Sequence, residues 1–353
     1  MQNKEDIIYG LLCDDESKRV FEARRHYSKT GDQAVFGGVF CNAAALANAA
    51  KQLAGKKFII YGAGAACNWL IAHFDLIGVG SSCVGLWDNN SALHGKAVGN
   101  YVVSKPDYDK LCDVDIVLIA TTQDEAAKSI YDMLLLNGLS SEAVLKVEPF
   151  GYTLGRLGYE NHTMYFDEEI ISFSDDEVFV DGGSCDFGTS MQLLKLNPHT
   201  KRIYAIEPDY MNKLVVERAI DDNKAWHITT LLDCALWSDD QELGFYVNEA
   251  KGGSSVNVSM HNSKVQGRKL DDIILPEDKV TFIKLDVEGS EIEALKGASR
   301  IIKQDKPKLA ISVYHKPDDY FEIPSYILEL MPEYRMYMRH YTPWHWETVL
   351  YCV

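Results

Sequence analysis

A small set of ionisable side chains at the ends of apolar runs carries the chemistry open to this sequence. Asp181 and Asp186 stand in a glycine turn, Glu207 follows the next apolar run, Lys284, Asp286 and Glu288 alternate at the end of another, and His315 closes a fourth. In Asp181-Gly-Gly-Ser184, Gly182 and Gly183 let the backbone approach a ligand closely, and Ser184 adds a polar group. Glu207 can accept hydrogen bonds from both hydroxyls of a ribose. Asp181 and Asp186 would repel a pyrophosphate, so the turn suits a nucleoside without phosphate, and one carrying positive charge. Lys284, Asp286 and Glu288 are costly in a buried strand unless they are paired with one another or used at a site. A histidine titrates near neutrality, which makes His315 the first candidate for a general base and Asp286 the second. Asp286, Glu288 and His315 could instead hold a divalent cation; no metal is otherwise assigned.

These residues need a scaffold that brings strand ends together. Val178 to Val180 reads as a short buried strand, with a helix opening near Gly188. Arg202 to Ile206 is the second strand, Tyr210 to Ile220 a helix, and Ile228 to Leu232 the third strand. Asp233-Cys-Ala-Leu-Trp237 then lies at a strand's carboxyl end, the ligand side of an open α/β sheet. There Asp233 or backbone could hold an adenine amine, with Ala235 beside the ring. Gly244 to Val247 is an extra strand, and Gly252-Gly-Ser-Ser255 a loop able to cover a site, with Ser255 facing substrate. The strand from Val280 runs into a helix over 290–302, with Ser290 and Glu293 expected as a capping box. Leu309 to His315 is the fifth strand, Pro317 to Leu330 a helix, and Arg335 to Tyr341 with Glu347 to Val353 an antiparallel edge pair. His345, with Trp344 and Trp346, could shape an acceptor pocket, since aromatic faces pack against sugar rings.

The first half repeats the pattern more faintly. Residues 1–55 read as an appended helical segment that packs on the neighbouring domain or mediates dimerisation, 56–148 as a Rossmann-like domain, 149–176 as a linker and 177–353 as the second α/β domain. In the first domain Gly62 and Gly64 follow the strand from Phe58, and Asp88 ends the next, so the three mark a possible nucleotide site. A structural scaffold is the other reading of that turn.

At 353 residues the chain has length for two domains. Its net charge of -17 disfavours a nucleic-acid partner. No run of apolar residues is long enough for membrane insertion, and the charged start argues for a cytoplasmic protein. The eight cysteines show no metal or redox spacing and are expected to be reduced and buried, with Cys185 packed in the turn.

Several blocks carry a resemblance. Asp181-Gly-Gly-Ser184, Ile206-Glu-Pro208, Ser254-Ser255, Leu270-Asp-Asp272 and above all Ile283-Lys-Leu-Asp-Val-Glu-Gly-Ser-Glu-Ile-Glu-Ala-Leu-Lys-Gly-Ala298 resemble the FkbM-type S-adenosylmethionine-dependent methyltransferases. Tyr61-Gly-Ala-Gly64, Trp87-Asp-Asn-Asn90, His94-Gly-Lys-Ala-Val98 and Ile119-Ala-Thr-Thr122 resemble small domains that bind nucleotide sugars in bacterial sugar-modifying enzymes. The resemblance implies two Rossmann-like α/β domains in tandem, the second a class I methyltransferase fold with a seven-stranded, mostly parallel sheet. It implies S-adenosyl-L-methionine as cofactor, with Asp181 or Asp186 on its ammonium and Glu207 on its ribose. Lys284, Glu288, Ser255 and His345 then face the acceptor. The expected activity is O-methylation of a sugar or nucleotide-activated sugar of a bacterial surface glycan, by a chain that could form a homo-oligomer. The alternatives are methylation of a small natural product, or an inactive protein that responds to a nucleotide sugar.

Overall fold

The computed structural model describes residues 3–39, 53–64, 67, 71, 82–121, 124–147, 164–247, 254–256, 261–342 and 344–353. The chain divides into two compact units, one of residues 1–31, 162–340 and 345–353 and the other of residues 32–161 and 341–344. Residues 3–31 therefore group with the later part of the chain instead of standing as an appended segment. They form helices α1 (Lys4–Leu11) and α2 (Asp15–Thr30). Asp14 caps α2 through the Ser17 amide at 2.7 Å, and Gly31 closes it in a left-handed conformation. The apolar stripe of Val20, Phe21 and Ala23 is buried.

The smaller unit is a six-stranded sheet in the order β3-β4-β2-β1-β5-β6. Its strands are β1 (Phe58–Tyr61), β2 (Cys83–Trp87), β3 (Ala97–Val98), β4 (Tyr101–Ser104), β5 (Ile116–Ala120) and β6 (Val144–Val147). Helix α3 (Asp124–Leu136) connects the last two. The short hairpin β3-β4 lacks the long apolar run that marks a buried strand, and its residues are mostly exposed, so pattern alone does not find it. Residues 40–52 of the helical segment expected over 1–55 fall outside the described residues.

The larger unit is built on a seven-stranded sheet ordered β16-β17-β15-β14-β7-β8-β9. Its strands are β7 (Val178–Gly182), β8 (Arg202–Ile206), β9 (Thr229–Leu232), β14 (Phe282–Leu285), β15 (Lys308–Ser312), β16 (Met336–His340) and β17 (Thr348–Cys352). The first five run parallel, and β17 pairs antiparallel with β15 and with β16. Val178, Val180, Ile203, Phe282, Ile283 and Leu309 are each about 1 % exposed or less, as central strands covered on both faces require. A second sheet of four strands joins β10 (Ala235–Leu236), β11 (Gln241–Tyr246), β12 (Ser255–Val256) and β13 (Ser263–Arg268). The helices of this part are α4 (Gly188–Leu196), α5 (Tyr210–Asp222), α6 (Leu270–Ile273), α7 (Glu291–Gly297), α8 (Ser299–Asp305) and α9 (Asp319–Leu330).

Three expectations are corrected here. The segment 164–171, read as extended linker, is a turn whose Tyr165, Phe166 and Ile171 are buried; Phe166 packs edge-on against Phe282 at 5.8 Å between ring centres. The helix over 290–302 is two helices, and Ser290 makes no side-chain cap. Glu293 binds Lys296 instead, while the Glu291 carboxylate takes the Val287 and Gly289 amides. Three cysteines of the described residues, Cys13, Cys112 and Cys185, are exposed, not buried.

Candidate active site

The turn after β7 is shaped by its neighbours. Register places Lys284 of β14 directly beside Asp181 of β7. The buried ammonium donates to Asp181 Oδ1 at 3.1 Å and to the carbonyls of Gly182 and Gly183 at 3.0 and 2.7 Å. Three acceptors satisfy its three protons. The other oxygen of Asp181 accepts from Ser184 and Ser190 at 3.2 and 2.6 Å. Burial opposes the charge on Lys284, yet Asp181 and Asp286 outweigh it and raise its pKa. Gly183 has φ +74, and a Cβ there would stand 1.9 Å from the Asp286 carbonyl oxygen, so no other residue fits without moving β14's end.

Glu207 ends β8 and faces the same space. Its Oε2 accepts from the Cys185 amide at 2.9 Å and its Oε1 from the Asp209 amide at 2.8 Å. Each oxygen keeps a further lone pair, while burial raises the pKa of the carboxyl. Glu207, Gly183, Cys185, Ile206, Ala235 and Leu236 line an open cleft of about 750 Å³ at the carboxyl ends of the parallel strands, with Ser254, Ser255, Asp286 and Glu288 on its other walls. That place matches a small-ligand site in an open α/β sheet. Ser254 closes on Asp209 at 2.7 Å.

An acidic cluster borders the cleft. Tyr165 donates to Asp286 Oδ2 at 2.7 Å, and Tyr314 to Oδ1 at 3.3 Å. His315 Nε2 lies 3.4 Å from Asp286 Oδ1 and 3.4 Å from Glu288 Oε2, and its Nδ1 is 2.9 Å from Glu291 Oε1. Burial disfavours the imidazolium, but Glu291, then Asp286 and Glu288, push its pKa up to about 10. Burial likewise works against the Asp286 carboxylate, while His315, Lys284 and the two tyrosines hold its pKa below the usual carboxylate value. Burial and the charge of Asp286 push the neighbouring Glu347 carboxyl up to about 8.

The structure thus brings Gly183, Glu207, Ala235, Ser255, Asp286 and Glu288 to one cleft and corrects other assignments. Asp181 and Lys284 are paired with each other at 3.1 Å beneath the turn, and neither lines the cleft. Gly182 lies inside β7, and Ser184 is turned onto Asp181. Asp186 caps the Gly188 amide at 2.8 Å and does not line the cleft. Asp233 is exposed and paired with Lys213 at 2.6 Å. His345 stacks on Tyr27 with ring centres 5.1 Å apart, away from the cleft residues. Cys185 lines the cleft rather than packing in the core; partial desolvation by the cleft walls, with the charges of Asp186 and Glu207, pushes its thiol up to about 11. Tyr165, Tyr314 and Glu291 were not singled out from the sequence. Glu291 opens α7 directly after Ser290 and is 1 % exposed, a buried acid that spacing does not mark.

In the smaller unit Asp88 repeats the role of Glu207. Its oxygens accept the Ala63 and Asn90 amides, each at 2.7 Å. Gly62 at φ +112 is required because a Cβ would meet the Ala120 carbonyl oxygen at 2.4 Å, and a Cβ at Gly64 would meet nothing.

Five parallel strands with an antiparallel edge pair, and a cleft at their carboxyl ends walled by a glycine turn and an acid, define a class I methyltransferase fold. Within it, residues 181–342 match the methyltransferase FkbM domain, and the chain carries that domain over those residues. Among solved structures the chain is similar to methyltransferase FkbM from Methylobacillus flagellatus KT, with 20 % identity and a TM-score of 0.50 over 96 % of this chain and 99 % of that one. It is also similar to precorrin-6y C5,15-methyltransferase from Geobacter metallireducens GS-15, with 18 % identity and a TM-score of 0.31 over 51 % of this chain and 79 % of that one. No curated protein matches the chain. Among the described residues no helix is long and apolar enough to cross a membrane.

Proposed function

We propose that this protein is an S-adenosyl-L-methionine-dependent O-methyltransferase acting on a hydroxyl of a sugar or nucleotide-activated sugar, of the kind found in bacterial surface glycans. The observation that carries the reading is Glu207: a buried carboxylate, fixed by two backbone amides, facing a cleft whose floor at Gly183 excludes any side chain. These residues fit a nucleoside. Glu207 would hold its ribose hydroxyls, Ile206, Ala235 and Leu236 would flank its base, and among the described residues no phosphate-binding cation lines the cleft. The cofactor, when bound, supplies a methyl group on a sulfonium.

What the chain itself contributes is alignment, charge and proton acceptance. Asp286 reaches the cleft, is oriented by Tyr165 and Tyr314, and accepts the hydrogen bond and then the proton of the acceptor hydroxyl. His315 was the first candidate for that base. Its proton is held by Glu291, Asp286 and Glu288, so in this arrangement it steadies the Asp286 carboxylate instead. Glu288 and Ser255 also line the cleft, where polar groups can orient an acceptor.

The sugar acceptor is supported by the smaller unit, whose strand–glycine–strand–acid arrangement at Gly62 and Asp88 parallels that of Gly183 and Glu207. Titrating the protein with S-adenosyl-L-methionine in a calorimeter, then offering nucleotide sugars and small alcohols as acceptors with mass detection, tests both parts. One added methyl on a nucleotide sugar is the expected result. Absence of cofactor binding would sink the reading, and turnover confined to acceptors without a nucleotide would remove the sugar assignment.

A further inference from the structure

We propose that Asp286, Glu291 and His315 form a binding site for one divalent cation of the Mn²⁺ class, with Glu288 at its rim. Each of the three residues offers a ligand atom, and those atoms lie within 4.8 Å of one another. Bonds of about 2.1 Å to a first-row ion set its donors about 3.0 to 4.2 Å apart, so the set closes on an ion by small side-chain adjustments. Glu288 Oε2, 3.4 Å from His315 Nε2, is near enough to complete the shell by a side-chain rotation.

The imidazole supplies an independent observation. The His315 side chain is 10 % exposed, and neither ring nitrogen makes a hydrogen bond. Glu291 Oε1 is 2.9 Å from Nδ1. A metal ion that displaces the ring proton satisfies a ring nitrogen by its lone pair and keeps the surrounding carboxylates compensated. The charge points the same way. Asp286, Glu288 and Glu291 surround one imidazole, and the buried ammonium of Lys284 is already engaged by Asp181 and two carbonyls. Carboxylate oxygens with a single imidazole are a harder donor set than zinc or copper sites use, which favours Mn²⁺ over those ions.

Asp286 and Glu288 also line the cleft, so the ion would face whatever is bound there. Lowering the pKa of an acceptor hydroxyl is the role this gives it, and that role, unlike the site itself, rests on the methyl-transfer reading. Glu291 is the donor that distinguishes this site from the set of Asp286, Glu288 and His315 that spacing suggests.

The test uses the full chain with no cofactor present. Free Mn²⁺ is followed by electron paramagnetic resonance, and the heat of Mn²⁺ binding by calorimetry. One Mn²⁺ per chain is expected, with affinity reduced about 100-fold or more in His315→Ala and in the near-isosteric Asp286→Asn, whose folding is checked by circular dichroism. No Mn²⁺ bound at millimolar concentration overturns the proposal. So does unchanged binding in both variants, which would place the ion on surface acids. Mn²⁺ binding to a protein that does not bind S-adenosyl-L-methionine leaves this site standing and removes only the methyl-transfer reading.

Discussion

At the scale of single residues, Glu207 and Gly183 make the sharpest predictions. Replacing Glu207 by Gln removes a charged acceptor and leaves either the Cys185 or the Asp209 amide facing an NH₂ group. A hydrogen bond to a charged group is worth about 1.5–3 kcal/mol, so S-adenosyl-L-methionine should bind roughly 10- to 100-fold more weakly in calorimetry. Wild-type affinity would show that the carboxylate does not touch the cofactor. Gly183→Ala meets a backbone oxygen at 1.9 Å and a left-handed φ at once. A loss of roughly 2 kcal/mol or more in urea unfolding is expected, together with loss of cofactor binding. Both residues were legible from the sequence, because a glycine turn and an acid closing the next strand are local patterns. Lys284 and Asp181 were legible only as ionisable groups. Spacing shows that Lys284 lies in a buried strand, but only the pairing of β14 with β7 sets it beside Asp181 and occupies each with the other.

Among the elements, α2 is the most exposed to test. Asp14 accepts the Ser17 amide at its start and binds Arg339 of β16 at 2.8 Å, so one carboxylate both caps a helix and ties it to the sheet's edge. Burial works to raise its pKa, but Arg339 and Ser17 outweigh burial and hold it at about 2. The folded value is thus depressed below the ordinary value of 3.8. Its contribution is fully present above about pH 4 and is lost as pH falls from there toward 2. Asp14→Ala should cost about 1 kcal/mol at pH 7, as loss of a helix cap does, and the gap between variant and wild type in thermal melts should close between about pH 4 and 2. A gap that persists at about pH 2 would mean that the charge is not what stabilises the joint. Helix α2 was expected from the sequence as part of a helical segment. Its partner was not, because the polar side of the joint, Asp14 with Arg339, joins residues far apart in the chain.

For the whole molecule, the grouping of residues 1–31 with 162–340 and 345–353 makes the first two helices part of the larger unit. Leu12 bridges to Met336, the Ser17 hydroxyl takes the Met338 amide at 2.8 Å, and Arg24 is buried with its guanidinium on the carbonyls of His345 and Tyr314. Deleting residues 1–31 would uncover Met336, Met338 and the β16 backbone. The truncated protein is expected to melt at least several degrees lower than the full chain, or to aggregate, when followed by circular dichroism. Unchanged melting would show that these helices are an accessory to the fold. The sequence by itself determined the α/β class, the parallel strands from their continuous apolar runs, the glycine turn after β7 and the block from 283 to 298, since each is written in neighbouring residues. The tertiary structure alone decided which acids face a ligand and which are spent on support. It decided that Tyr165, read as linker, buries its ring and holds Asp286, and that Glu291 turns inward to His315. The physical reason is that the state of an ionisable group depends on burial and on charges within a few ångströms, and those neighbours come from strands and loops that only the folded sheet brings together.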